Sequence, residues 1–316
     1  MSAANLKSRV SSLRKRLRLH RKERIIVVSC AALAASYPVF DWLKTRAAAP
    51  TPEPSLPGGY YEEDFTLELN APPYGKIYYT TDGSTPSENS QVYNGGIPIT
   101  DRSAEPNVYH SIRNVVKDWK NFTPTQEPVD KGTVVRAVYI SDWGSKSDIL
   151  TQTYFVGLQP PAHGYTLNLI FEDEDVFGQD GIYVTGKAYD DWYLNDGTGD
   201  GPLPNYMVKR EVGAVAELLG DTGEVMNQKV GIRIQGKSAR ERWDKRFVLT
   251  ARKDYGGSPV FDTVLYDGVL THSVMLKSQL PDAIVGDLAS DRVVALQGSI
   301  PVSLYLNGEH WYDCYM

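Results

Sequence analysis

Residues 229–250, KVGIRIQGKSARERWDKRFVLT, decide how the second half of the chain is read. Residues 229–235 alternate, with Arg233 facing away from its neighbours Ile232 and Ile234, which is the period-two pattern of a strand. Gly236-Lys237-Ser238-Ala239-Arg240 follows as a tight polar loop, and Trp243 to Thr250 enters a second strand. This hairpin gathers Arg233, Lys237, Arg240, Lys245 and Arg246. Such a cluster focuses a positive potential that attracts an anionic ligand such as a nucleotide phosphate, although the same charges also suit the solvent face of a hairpin.

The cluster stands out because its surroundings are acidic. The chain has 316 residues, 33 Lys/Arg and 39 Asp/Glu, and eleven of the basic residues against only Glu23 and Asp41 fall before residue 47. The rest therefore holds 22 basic and 37 acidic residues. A body this acidic argues against nucleic acid as a partner, since phosphate neutralisation needs clustered Lys/Arg over a broad face. Two cysteines and five histidines supply neither a disulfide framework nor a Cys/His metal centre. The length predicts two folded units with linkers and an appendage.

The basic surplus at the amino end immediately precedes IIVVSCAALAASYPVF, residues 25–40, which contain no charged side chain. This is the positive-inside arrangement, so residues 1–24 read as a basic cytosolic tail and Ile25 to Leu43 as a signal anchor, or as a signal peptide cut near Ala34, Ala35 and Ser36. The bulk of the protein would then be extracytoplasmic, anchored by a single pass or secreted. Residues 44–59 are Ala-, Pro- and Gly-rich and form a linker.

Residues 60–157 read as a β-sandwich. Phe65, Leu67 and Leu69 share one face, IYYTT ends at Asp82-Gly83, VVRAVYI alternates at 134–140, and QTYFV closes the segment. Residues 108–119, VYHSIRNVVKDW, are a helical candidate inserted in it. Asp82 and Thr85 suit an Asx-type turn in which Gly83 takes positive φ. The order YYTTDGSTPS, then Val92-Tyr93, Ile97-Pro98-Ile99 and VVRAVYISDWGSKSDILTQTYFV resembles the immunoglobulin-like module at the carboxyl end of chitobiase and β-hexosaminidase enzymes. That resemblance implies an accessory domain of secreted or surface proteins, without glycosidase activity. Asp82 with Glu88 is a poor carboxylate pair for sugar hydrolysis, because a turn aspartate in this context is structural. Polysaccharide binding by exposed Tyr or Trp faces is the more plausible role, although the sequence does not distinguish Trp143 and Tyr93 from core aromatics.

Beyond Pro160-Pro161, the unit 162–316 begins with the alternating strand YTLNLIF at 165–171, and Gly181 to Gly186 reads as a strand bounded by glycines. NDGTGDG at 195–201 has the opening of a calcium loop but Met207 where the twelfth-position Glu belongs, so it is an insertion. Together with Asn205-Tyr206, the 230–256 stretch VGIRIQGKSARERWDKRFVLTARKDYG and VSLYLNGEHW at 302–311, these motifs resemble the spore-coat protein H (CotH) family of secreted kinase-like proteins. The resemblance implies an α+β atypical kinase-like domain and ATP-dependent phosphorylation of proteins on Ser, with Mg²⁺ as the metal. Lys245 would be the phosphate-contacting lysine, supported by Arg240 and Arg233.

No H-R-D or D-F-G motif is present, and Asp190 with Asn195 has the right spacing in the wrong place. Asp282, Asp287 and Asp291 read as surface positions of a helix. In the family the catalytic carboxylates lie downstream of the LNGEYW-like strand, so they are expected beyond Met316 and this chain is expected to be inactive alone. The expectation is a membrane-anchored extracytoplasmic kinase of the CotH type acting on a secreted or wall-associated protein. The alternative is a non-catalytic adhesion or carbohydrate-binding protein. In fold class this means a multidomain chain: membrane helix, all-β immunoglobulin-like sandwich, then an incomplete α+β kinase-like domain.

Overall fold

The computed structural model describes residues 49–263, 265, 270–278 and 298–316. The expected membrane segment, Ile25 to Leu43, and the aspartates at 282, 287 and 291 lie outside them. No helix among the described residues is long and apolar enough to cross a membrane.

The first half contributes nine strands: β1 (Glu53–Pro54), β2 (Gly59–Tyr61), β3 (Phe65–Leu67), β4 (Leu69–Asn70), β5 (Gly75–Thr80), β6 (Gln91–Val92), β7 (Ile97–Ile99), β8 (Thr133–Ser141) and β9 (Leu150–Val156). A five-stranded sheet in the order β2-β9-β8-β5-β6 faces the pairs β3-β7 and β1-β4. Leu67, Leu69, Ile97 and Ile99 on the pairs pack on Ile77, Val135, Ala137, Tyr139 and Tyr154 of the sheet. This is a β-sandwich, and period-two alternation built it. The Asp82 turn forms as the sequence predicts: Oδ1 accepts from the Ser84 N–H at 3.0 Å and Gly83 has φ +87°.

The second half is not the α+β domain expected. It is dominated by one seven-stranded sheet built from β10 (Tyr165–Ile170), β11 (Glu211–Gly220), β12 (Gly223–Gln235), β13 (Arg246–Ala251), β14 (Ser273–Met275), β15 (Pro301–Leu306) and β16 (Glu309–Tyr315). The order is β14-β13-β12-β11-β10-β15-β16, antiparallel except for β10 beside β15. The described residues are 39% strand and 10% helix, and their α-helices are α1 (Asp173–Val176) and α2 (Lys187–Leu194). The physical reason is local. Residues 211–235 are a single long hairpin closed at Asp221-Thr222, so this stretch is committed to the sheet.

Two further expectations fail for identifiable reasons. Residues 108–119 form only a 3-10 turn at Tyr109–Ser111. The N–H groups of Val108, Tyr109 and His110 are taken by the Glu309 carboxylate at 2.6 to 3.0 Å, and Ile112 is already extended. Residues 181–186 are not a strand. Their N–H groups bond to the carbonyls of α1, Ile182 to Asp175 and Tyr183 to Val176, while Ile182, Tyr183 and Val184 stay buried.

The two sheets share a buried interface. Val135, Ala137 and Tyr139 of β8 point into the sandwich, and alternate residues point at the second sheet, so all nine residues of β8 are buried. Val134 packs with Ile170 and Val215, and Phe155 packs with Leu219 and Tyr305. Between these contacts lies a polar seam. Asn168 donates to the Thr153 hydroxyl at 2.7 Å, and the Thr153 N–H donates to Glu217 at 3.0 Å. At its edge the Asn307-Gly308 turn joins β15 to β16 with φ +44° and +85°, and the Gly132 N–H donates to the Gly308 carbonyl at 2.8 Å.

Candidate functional site

The β12–β13 connection lies over a cleft of about 310 Å³ lined by Gly236, Lys237, Ser238, Ala239, Arg242, Asp244, Arg246 and Ser278. Gly236 has φ +121°, and a Cβ there would meet the Ala239 methyl at 3.0 Å. A short 3-10 turn, Ser238–Glu241, follows, and the chain bends through residues 242–244 before β13 begins at Arg246.

Arg242, Asp244 and Arg246 line the cleft, and the residues between them, Trp243 and Lys245, do not. Arg242 forms a bidentate pair with Asp244, both bonds 2.6 Å, and the Ser278 hydroxyl donates to the same carboxylate at 2.6 Å. Burial raises the Asp244 carboxyl, but the bonds from Arg242 and Ser278 outweigh it and hold the group below its ordinary range. Among the described residues, the lining carries Lys237, Arg242 and Arg246 with the Asp244 carboxylate.

Trp243 and Lys245 point the other way. Lys245 is fully buried: its ammonium donates to the carbonyls of Val115 and Arg242 and lies 4.2 Å and 4.9 Å from the ring centroids of Tyr206 and Tyr183. Burial draws its pKa down to about 7. The Tyr183 hydroxyl fixes this stretch, accepting from the Lys245 N–H and the Trp311 indole at 2.9 Å each and donating to the Trp243 carbonyl at 2.6 Å.

The cationic residues of the hairpin are therefore divided. Lys237 and Arg246 meet in the cleft. Arg240 is buried, with its guanidinium on the Met207 carbonyl at 2.7 Å and the Tyr206 carbonyl at 3.3 Å. Arg233 lies against Gln235 and lines a separate cavity with Val248, Ser273 and Met316. Lys245, Arg240 and Arg233 thus do not converge on one ligand-facing surface. Sequence reasoning missed Arg242 and Asp244, although their two-residue spacing from Arg246 carried the signal. Asp190 is a tether, accepting from Asn114 at 3.0 Å and from the Trp119 indole at 2.9 Å.

A polyphosphate fits this lining, since Arg forks and a Lys ammonium are the side chains that hold phosphate oxygens. The fit to Mg²⁺ is poorer. Asp244 is the one carboxylate among the described residues that line the cleft, and it is already held by Arg242 and Ser278. Among the described residues no group of three or more His, Cys, Asp or Glu is placed to hold a metal.

Comparison with known proteins reaches only the first half. No curated protein and no solved structure matches the chain. Residues 65–154 match the family described as Fn3 associated, a stretch that runs from β3 into β9 and contains none of the cleft residues.

Proposed function

We propose that this chain holds the phosphates of ATP for an extracytoplasmic, membrane-anchored phosphotransferase of the CotH type, acting on a secreted or wall-associated protein. The observation that carries the reading is the convergence of Lys237, Arg242 and Arg246 on one cleft within an otherwise acidic body. Phosphoryl transfer depends on positioning and charge neutralisation at the phosphates, and the cleft supplies both. Asp244 keeps the Arg242 fork aligned before a phosphate replaces it as partner. Bound ATP would supply the phosphoryl group, and the chain's own contribution is to orient it. Lys245 contributes by fixing the segment that carries Arg242 and Arg246, without touching the ligand.

Calorimetric titration of the full chain with ATP and with inorganic tripolyphosphate tests this directly. Both bind at low salt, with affinity falling as salt rises. Lys237→Ala and Arg242→Ala each weaken binding about tenfold, the ~1.4 kcal/mol of one charge-assisted contact at a partly exposed site. No binding of either ligand at low salt, or unchanged affinity in the double variant, overturns the proposal.

A further inference from the structure

Arg242 and Asp244 face the phosphate cleft, and Trp243 between them faces a different cavity of about 160 Å³. Its lining includes His110, Phe122, Thr123, Thr125, Trp243 and Trp311. The two indoles meet edge to face with centroids 5.7 Å apart, and the His110 ring lies 4.5 Å from Trp311. Thr123 and Thr125 are exposed, whereas His110 and Trp311 are buried.

His110 is held in one orientation. Its Nδ1 lies 3.1 Å from Glu309 Oε1, and Glu309 also receives the backbone N–H groups of residues 108 to 110. Burial raises this carboxyl, but the bonds from the His110 ring and from those backbone groups together bring it below its ordinary range. An ionised carboxylate only accepts, so in the neutral ring the proton sits on Nδ1 and Nε2 is left as an acceptor. The cavity thus combines π surfaces, two hydroxyls and an oriented imidazole.

These features select a ligand class. A cavity of about 150 Å³ holds one benzene ring, so this one seats one face of a single six-membered ring, whose substituents project out past the exposed Thr123 and Thr125. A purely aromatic guest would leave the buried imidazole acceptor unpaired as it excluded water, and would make no use of the exposed Thr123 and Thr125 hydroxyls. A pyranose satisfies both parts, because its C–H face stacks on an indole while its hydroxyls meet Thr and His. We propose that this cavity binds one pyranose ring of an oligosaccharide, with Trp243 as the stacking platform and Thr123 and Thr125 as hydroxyl partners. The site is separate from the phosphate cleft and stands whether or not that cleft binds ATP.

The test is calorimetric titration of the full chain with cellotriose, chitotriose and indole. Saturable binding of at least one trisaccharide is expected, weakened at least about tenfold by Trp243→Ala, the loss of a ring-stacking contact. Because Trp243 also packs on Trp311 and Tyr312, the double variant Thr123→Ala/Thr125→Ala provides a second reading at exposed positions. It should weaken the same sugar several-fold with an unchanged melting temperature. Absence of binding by both trisaccharides, binding of indole alone, or sugar binding indifferent to both variants overturns the assignment.

Discussion

Replacing Glu217 with Gln should make the protein more stable at alkaline pH relative to acid. Glu217 lies fully buried in the seam between the two sheets. Its Oε1 accepts from the Thr153 N–H, while Oε2 has no partner among the described residues. Burial lifts its pKa from 4.5 to about 7, and the bonds from Thr153 only partly offset this. The native state therefore binds the proton more tightly than the unfolded chain. Stability falls as pH rises from about 4.5 through about 7 and is level beyond. At 1.36 kcal/mol per pH unit the full loss is about 3 kcal/mol, most of it between pH 5 and pH 8. Glutamine keeps the carbonyl for Thr153 and cannot ionise, but its amide carries a donor that costs about 1–3 kcal/mol if left unpaired. That cost does not vary with pH. Urea unfolding of both proteins at pH 5 and pH 8 removes it by subtraction, and every other titrating group cancels with it. The wild type should lose about 2–3 kcal/mol more than the variant between the two pH values. A difference that stays constant would mean that Glu217 is ionised and compensated in the seam, and the argument from burial would fail.

Two other substitutions probe the candidate site. Lys245→Ala should destabilise the fold by about 3–5 kcal/mol, because it removes a fully buried chain and strands the Val115 and Arg242 carbonyls, whereas Lys245→Met should cost clearly less in the same urea assay. Since burial lowers the Lys245 pKa to about 7, wild-type stability relative to Lys245→Met should rise as pH increases from about 7 towards 10. Gly236→Ala forces a side chain into φ +121° against Ala239. It should cost about 1–2 kcal/mol and weaken tripolyphosphate binding measurably, and an unaffected affinity would show that the loop does not shape the cleft.

Strands and turns were legible in the sequence where side-chain alternation or turn chemistry made the choice locally, though glycines at both ends of 181–186 suggested a strand that is not there. The 229–250 hairpin, β8 and the Asp82-Gly83 turn all formed where alternation and turn chemistry placed them. What misled was long-range. The 108–119 segment has helical composition, yet a carboxylate almost two hundred residues away claims the N–H groups that would begin the helix. Lys245 looked like a ligand-facing lysine by its place in a motif, but the alternation that sends Arg242, Asp244 and Arg246 to the cleft sends Lys245 inward with Trp243. The period was visible, and applying it to the charged residues would have replaced Lys245 with Arg242 and Asp244, whereas Arg240, in the same register, is turned inward by the Ser238–Glu241 turn. The polar seam at Glu217, by contrast, could not be read. Leu218 and Leu219 mark β11 as buried, and nothing local shows that a second sheet covers its other face.

The matched stretch ends at Tyr154, one residue before Phe155. Phe155 stacks on Tyr60, 5.1 Å between centroids, and meets Tyr305 edge-on at 4.8 Å. A sandwich transplanted to another protein on the 65–154 boundaries would thus lack both Tyr60 and Phe155 while laying Val134, Arg136 and Thr153 open to water. Such a unit is modular in sequence but not in thermodynamics. In this architecture it can be inherited or shuffled only with a companion surface that covers the outer face of β8 and β9, so recombination is constrained to pairs of sheets rather than to single domains.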